Sequence, residues 1–354
     1  LPDNRVDLMH HSYQGGGVSI DGPALMLRSK IGEQVSVSGF YYVDTVSGAS
    51  IDVIATASAY TETRIESRVG LDYLTGNSIL SLNYAQSDED DYNAKSISFG
   101  VAHDSFGGMT TLSLNAAAGN DEIGRNGDES FSEELRRYSY SLGITQVLTT
   151  RWISALNAEV DMEQGFLNNP YRSVRYLDPL AELGYGYQFE RYPNTRNSFA
   201  LGLVNKFYLP YRAALTGSLR HYQDSWDIQA FDAELEYVHP FGERWVFDSH
   251  VRWYQQGQAS FYADLFQFAN QQNFMARDKE LSDFNNLNIG FGVSYRFASW
   301  SWPAAKPELN LEWDHIRFNY NNFRNVTVAD TEAGAEPLYR LTANVYRAFF
   351  SVYF

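Results

Sequence analysis

The sequence predicts an all-β fold: a transmembrane antiparallel β-barrel of about sixteen strands, forming one domain over residues 1–354. Apolar and polar residues alternate in runs of about 10 to 13 residues. Soluble strands are shorter, at roughly 5 to 6 residues, whereas a tilted membrane strand needs roughly 9 to 11. Aromatic residues make up 16% of the chain, yet no stretch has the apolar length of a membrane helix. Short and long connections alternate between the runs, as in outer-membrane barrels.

The alternation defines the individual strands. In 284–297, for example, Leu287, Ile289 and Phe291 alternate with small or polar residues, and a period of two places the two sets on opposite faces of a strand. The segment 180–192 is either a further strand or an inward-folded loop, so the count is 16, with 14 or 18 as alternatives. The predicted strands cover approximately 4–13, 18–29, 35–44, 63–74, 78–87, 92–103, 109–118, 135–147, 151–162, 197–209, 213–224, 228–239, 244–256, 284–297, 307–320 and 342–354.

The connections give the strands a direction in the membrane. Barrels of bacterial outer membranes have short periplasmic turns and long extracellular loops. With an even number of strands, both termini are then predicted on the periplasmic side. The long connections lie near 45–62, 119–134, 163–196, 257–283 and 321–340.

The last predicted strand ends on an aromatic residue. Tyr346, Ala348, Phe350, Val352 and Phe354 occupy every second position up to the end of the sequence. This arrangement resembles the signal that the outer-membrane barrel assembly machinery recognises. We therefore predict that Phe350, Val352 and Phe354 form an assembly signal.

Composition excludes several classes of function. The chain has no cysteine, so disulfides, thiolate metal ligands and thiol nucleophiles are excluded. Its formal net charge of −16 disfavours nucleic acid as a partner, because phosphate binding requires a basic face. The start at Leu1-Pro2-Asp3 lacks the basic and apolar regions of an export signal. We expect an integral protein of the bacterial outer membrane, surrounded by lipid and lipopolysaccharide, whose signal peptide has been removed.

Several motifs resemble an uncharacterised family of proteobacterial outer-membrane β-barrels that is labelled a domain of unknown function. The resemblance covers essentially the whole chain. It implies a barrel that is often encoded beside a small lipoprotein, a thioredoxin-like protein and a flavin transferase, and hence a lipoprotein or flavoprotein partner in envelope redox work. It supplies no catalytic residues. The motifs are Gly15-Gly16-Gly17, Tyr41–Asp44, Ala49–Val53, Asn168–Arg172, Phe261–Leu265 and Ala276–Leu281.

Charged residues on the polar face of the strands are predicted to line the lumen, because a charge facing lipid near the midplane costs roughly 2–4 kcal/mol. An acidic excess in a water-filled lumen favours cations. Alternatively, the acid–arginine pairs brace the wall of a plugged or partner-filled lumen. The candidates for selectivity on the strands are Asp232, Glu234, Glu236, Asp248, His250, Arg252 and Arg347.

Two long loops are expected to control the lumen, because porin loops often fold inward. The loop 163–196 is dense in arginine and tyrosine, and 257–283 is dense in phenylalanine. Such loops constrict a channel, cap it or hold a partner. The first loop supplies the candidates Tyr171, Arg172, Arg175, Tyr185, Arg191 and Arg196.

No cofactor, metal site or catalytic residue is predicted. The histidines lack metal-binding spacing, and the acidic run Asp88–Asp91 has no EF-hand pattern and is interpreted as a solvated loop. The favoured function is an outer-membrane pore or conduit that leans toward cations and is controlled by the two loops. The alternatives are a non-conducting scaffold that holds a small lipoprotein or flavin-bearing partner, and a hydrolase working through His250.

Overall fold

The structure is a computed structural model that describes residues 1–48, 51, 60–298 and 305–354. Sixteen strands form a closed antiparallel barrel, which confirms the predicted fold class. The first strand pairs with the last, from Arg5 opposite Tyr353 to Gly15 opposite Ala343. This pairing leaves no free sheet edge, which a barrel in a bilayer requires because hydrocarbon offers no hydrogen-bond partner to the backbone.

The barrel strands coincide with the predicted ones to within a few residues, and most of the differences are extensions toward the long-loop end. Each spans 11 to 19 residues. They are Arg5–Gly15 (β1), Val18–Ile31 (β2), Val35–Gly48 (β3), Tyr60–Thr75 (β4), Ser78–Asp88 (β5), Tyr92–Ser105 (β6), Thr110–Ile123 (β7), Glu133–Thr149 (β8), Trp152–Gly165 (β9), Thr195–Tyr208 (β12), Ala214–Asp224 (β13), Gln229–Phe241 (β14), Trp245–Gln256 (β15), Phe284–Arg296 (β16), Lys306–Arg324 (β17) and Leu338–Tyr353 (β18).

Two short strands lie outside the barrel. Ser173–Leu177 (β10) and Tyr185–Phe189 (β11) pair with each other as a separate hairpin. This hairpin resolves the ambiguity of 180–192, because that segment belongs to a loop and adds no strand to the barrel. The strand count is therefore sixteen.

The longest connections lie at one end of the barrel. They include 166–194, 257–283 and 325–337, whereas the opposite end has turns such as Gly32 to Gln34 and the 3₁₀ turn Phe106–Gly108. Three connections at the long-loop end, among them 89–91, are as short as these turns. No helix among the described residues is long and apolar enough to cross a membrane.

The two faces of the wall differ as the alternation predicts. Large apolar side chains such as Leu71, Leu142 and Phe291 are exposed on the outer face. Neighbouring positions in the same strands, such as Asp72 and Gly143, face the lumen, where they approach polar groups of the adjacent strands. The barrel interior is therefore polar, and the buried apolar clusters lie at its long-loop end.

Glycines in the wall allow polar side chains to reach across a strand. His250 of β15 contacts Asp314 of β17, with Nε2 and Oδ1 2.8 Å apart, across Gly290 of β16. A Cβ atom at Gly290 would lie 2.1 Å from His250 Cε1 and 2.6 Å from Asp314 Oδ1. Likewise, His11 of β1 reaches Asp44 of β3 at 2.6 Å, on either side of β2. These pairs lie flat against the wall and tie alternate strands together.

The aromatic end of β18 is placed as predicted. Phe350 and Val352 pair with Leu8 and Val6 of β1. Phe354 follows the strand, is 49% exposed and donates its backbone N–H to the carbonyl of Asn4 at 3.2 Å. Recognition of this segment by the assembly machinery remains a prediction.

We expect Gly290→Ala to destabilise the barrel by roughly 1–3 kcal/mol, because the new methyl group overlaps the His250–Asp314 pair. The measurement is urea unfolding of the reconstituted protein. Gly202→Ala is the matched control, since the closest atom to a Cβ at this lumen-facing glycine is Leu219 O at 3.9 Å. Equal losses in the two variants would contradict the proposed overlap.

Candidate functional site

Three loops pack together over one end of the barrel and are called the loop cap: residues 166–194, 257–283 and 325–337. Aromatic and aliphatic side chains of these loops and of the adjoining strand ends form buried clusters that exclude water. These clusters hold the loops together. One cluster joins the β13–β14 connection to the loop 257–283; its buried members are Trp226, Ile228, Ala259, Phe261, Tyr262, Ala276 and Leu281. Phe261 is one of the phenylalanines in which the loop 257–283 is rich, and it packs at the barrel mouth.

The guanidinium of Arg175 connects all three loops. Its side chain is completely buried, Nη2 contacts Asp264 Oδ2, and Nη1 lies 2.5 Å from Glu336 Oε1. Arg175 Nε also donates to the backbone carbonyl of Asp264 at 2.9 Å. Burying an arginine requires such pairing, since an unpaired charge in the interior is strongly unfavourable. Arg175 was a candidate for solute selection, but its buried position makes it a structural residue of the loop cap.

Two further arginines extend this network to the top of β17. Arg277 Nη2 lies 3.0 Å from Asp264 Oδ1 and donates to the carbonyl of Arg324 at 3.1 Å. Arg324 in turn donates through Nη1 to the carbonyl of Glu336. The sequence did not indicate the other four members of this network, which are Asp264, Arg277, Arg324 and Glu336, although Asp264 and Arg277 lie inside two of the distinctive motifs.

Tyr171 connects the loop cap to neighbouring connections of the rim. Its hydroxyl donates to Asp91, in the β5–β6 connection, and accepts from the backbone N–H of Asn126 at 2.7 Å. Burial and the hydrogen bond to Asp91 raise the pKa of Tyr171 to about 12, so it remains a donor at neutral pH. The loop 166–194 therefore contacts a part of the rim that its own anchoring strands, β9 and β12, do not contribute.

The other loop candidates occupy different environments. Arg172 forms an ion pair with Asp278 of the loop 257–283. The exposed Arg191 donates to the carbonyl of Gln272 at 3.1 Å, and the ring of Tyr185 lies 5.2 Å from the Arg175 guanidinium carbon. These residues stabilise loop contacts, whereas Arg196, on β12, points into the lumen.

The strand candidates lie together on the lumen face of β14 to β18. Arg252 Nη2 is 3.1 Å from Asp232 Oδ2, and Arg347 lies 2.5 Å from Asp314 and 3.0 Å from Glu312. The remaining four, Glu234, Glu236, Asp248 and His250, occupy the same face. In the sheet register Glu234 is opposite Arg252 and Glu236 is opposite His250, and Asp248 lies over Gly292.

Most wall ion pairs present the cation to the lumen and bury the acid. Arg68 is 56% exposed whereas its partner Glu66 is 10% exposed, and Arg137 is 40% exposed beside a completely buried Asp121. The longer arginine side chain extends past its partner, while the shorter carboxylate stays against the wall. A solute in the lumen therefore meets guanidinium groups that are already neutralised.

Two adjoining cavities open into the lumen beneath the loop cap, with volumes of about 860 Å³ and 300 Å³. They share Ser96, Ala117, Arg137 and Glu163 as lining residues. These four residues mark the place where the two cavities meet, and this place is called the neck. Arg196 lines the smaller cavity.

An acidic trio at the mouth was not predicted as a group. Glu62, at the outer end of β4, lies beside Glu89 and Asp91, and one carboxylate oxygen from each falls within 4.8 Å of the others. Burial raises the pKa of Glu89, with Arg64 opposing and Asp91 adding to the shift. The sequence did not indicate the trio, because Glu62 is separated from the acidic run by a hairpin.

The histidine with acid–base character has no nucleophile beside it among the described residues. His250 contacts Asp314 and the side-chain amide of Asn288. A hydrolytic arrangement needs a hydroxyl or thiol within hydrogen-bond reach of the imidazole. Both contacts of His250 are to side chains of the strands β16 and β17, which braces the wall.

The sequence model of one family, described as protein of unknown function (DUF3570), matches residues 125–309, just over half of the chain. A search of curated proteins finds no match. Similar folds occur among solved structures. A bacterial polysaccharide outer membrane secretin is 9% identical with a TM-score of 0.51, and the match covers 100% of this chain and 99% of that one.

Two proteins of Pseudomonas aeruginosa are also similar. The siderophore receptor PirA is 12% identical with a TM-score of 0.47; the match covers 99% of this chain, which spans 63% of the receptor's length. OccK2 (OpdF) is 10% identical with a TM-score of 0.45, and the match covers 99% and 98% of the two chains. At such identities only the fold is comparable, and the fold shared with the secretin is that of a bacterial outer-membrane barrel.

We expect Arg175→Met to loosen the loop cap by roughly 3–5 kcal/mol, because it leaves the buried carboxylate of Glu336 without its cation. Hydrogen exchange of residues 173–189 measures this opening. Arg191→Met is the control, since Arg191 is exposed and belongs to the same loop. Retained protection of 173–189 in Arg175→Met would contradict the assigned role.

The loop cap should also loosen in acid. Burial raises the pKa of Glu336, but hydrogen bonds from Arg175 and from the Gly334 N–H outweigh burial and hold it below the usual value. A carboxyl group with a lowered pKa contributes stability above its unfolded pKa, about 4.3 for glutamate, and loses it as pH falls through the lowered value. Hydrogen exchange of 173–189, corrected for its intrinsic pH dependence, should therefore increase below about pH 4. In Glu336→Gln this increase should disappear.

Proposed function

The chain belongs to the family described as protein of unknown function (DUF3570), and we propose that it is an outer-membrane pore whose extracellular mouth is gated by the loop cap. The proposal includes location in the outer membrane and transport without catalysis. The observation that carries it is the combination of a closed barrel with a polar, cavity-bearing lumen and a set of long loops packed over one end.

The expected ion preference is weakly cationic. Acidic residues outnumber basic ones in the chain, and a lumen with acidic excess attracts cations through its field. Pairing limits this effect, because groups such as Asp121 and Glu66 are neutralised at short range by Arg137 and Arg68. A reversal potential measured across a salt gradient should therefore be small and cation-directed.

Gating by the loop cap can be tested by excising the β10–β11 hairpin. The backbone of Glu190 donates to the carbonyl of Arg172 at 3.2 Å, so a short glycine linker can replace residues 173–189. In planar bilayers the intact protein should show small, interrupted conductance steps, and the excised variant larger and steadier ones. The control replaces Leu180 and Leu183 by serine; these residues are 96% and 65% exposed at the hairpin tip.

The competing function is a non-conducting scaffold for a small lipoprotein or flavin-bearing partner. The buried ion pairs that close the mouth favour it, and the family resemblance suggests the partner. Silence of both the intact and the excised barrel in bilayers would overturn the pore and favour the scaffold. Co-purification of a lipoprotein or of bound flavin with the silent barrel would then identify the partner.

A further inference from the structure

We infer that the neck between the two lumen cavities binds a neutral, hydroxyl-rich solute of the carbohydrate class. The inference rests on the proposed pore and specifies what it carries. It follows from three side chains in one row of the wall: Arg137 of β8, Glu163 of β9 and Arg196 of β12. Arg137 is directly opposite Glu163, and Glu163 directly opposite Arg196, in the register of the sheet.

The guanidinium of Arg137 is fixed in place. Nη2 donates to Asp121 Oδ1 at 2.8 Å, and Asp121 is completely buried and also accepts from the hydroxyl of Tyr92. The side chain lies over Gly119, where a Cβ atom would be 3.3 Å from Nη2. Tyr92 and Gly119 thus hold the ion pair against the wall, while 40% of the Arg137 side chain stays exposed to the cavities.

Arg196 is held in an equivalent way from the other side. Its Nη2 donates at 2.7 Å to Asp224, whose side chain is completely buried. The guanidinium carbon lies 4.5 Å from the centre of the Trp226 ring, and the hydroxyl of Tyr222 donates to Asp224 at 3.0 Å. Two arginines are therefore fixed on either side of Glu163 in advance of any ligand.

The carboxylate of Glu163 is available between them. Among the described residues, none forms a hydrogen bond or close ion pair with it, although it lies within the electrostatic influence of Arg196 and Arg137. Glu163 lines both cavities. The neck therefore offers a hydrogen-bond acceptor flanked by two guanidinium groups, each of which already donates to a buried carboxylate.

This pattern of donors and acceptors fits hydroxyl groups. A hydroxyl both donates and accepts, so neighbouring hydroxyls can donate to Glu163 and accept from the arginines. A simple anion is disfavoured, because the two arginines are outnumbered by four carboxylates: those of Asp121, Glu163 and Asp224, and that of Asp161, which lines the smaller cavity. The cavities, about 860 and 300 Å³, lie within the range of small-molecule sites.

The test is calorimetric titration of the full chain in detergent micelles with three probes: maltose, gluconate and glutamine. Saturable binding of maltose, with no comparable binding of gluconate or glutamine, is expected. Preferred binding of glutamine would assign the neck to zwitterions, with the ammonium group on Glu163, and would overturn the inference. Preferred binding of gluconate, or no saturable binding of maltose, would overturn it as well.

Variants of Glu163 locate the site. Glu163→Ala should weaken maltose binding about tenfold, since it removes a charged acceptor. Glu163→Gln keeps an acceptor oxygen and should weaken binding to a smaller extent than Glu163→Ala. The control is Glu159→Ala on the same strand. The ion-pair partner of Glu159 is Arg220, which is exposed and lines neither cavity. Loss of binding in the control equal to that in Glu163→Ala would overturn the assignment.

Maltose binding and ion conduction can be lost independently of each other, so the binding site and the pore are tested separately. Binding in micelles requires only the folded neck, whereas conductance requires an open path. Maltose binding by a barrel that is silent in bilayers would retain the site and overturn the pore. Conductance without maltose binding would retain the pore and overturn the site.

Discussion

Closure of the backbone hydrogen-bond ladder is the constraint on which the rest of this structure depends. Hydrocarbon offers no partner for an unpaired N–H or C=O, so every strand must pair on both sides. The pairing of β1 with β18, over eleven residues from Arg5 to Gly15, completes the ring. Once the ring is closed, the two faces of each strand are committed to lipid and lumen, and most wall charges are directed inward.

The inward charges create a second requirement, because crowded carboxylates and arginines need partners at short range. The wall provides them across neighbouring strands and, at glycines such as Gly290, across two strands. Short carboxylates end up buried and long arginines exposed, as in Asp121 and Arg137. The lumen thus keeps open cavities and many hydrogen-bonding groups while its field stays weak, which is why we expect it to suit neutral solutes.

The loop cap depends on the barrel for its own order. Its anchoring strands bring loops from distant parts of the sequence to one mouth, where apolar clusters and the buried Arg175 fasten them. Arg175 and Glu336 are 161 residues apart. A buried ion pair of this kind fixes one arrangement of the loops, and breaking it leaves an uncompensated charge. The cap therefore has one defined arrangement, and loss of this ion pair would disrupt it.

The sequence by itself determined the strands, their approximate bounds and the residues of each face, because a period of two is a local property of every strand. It also predicted 163–196 and 257–283 as long loops, and placed Asp232, His250, Arg252 and Arg347 in the lumen. Only the tertiary structure decided which charges pair and which are buried: Arg175 became a structural residue, and Glu163 was left available between Arg137 and Arg196. Such partners come from different strands or distant loops, and their meeting depends on register, closure and glycine positions that no local pattern encodes.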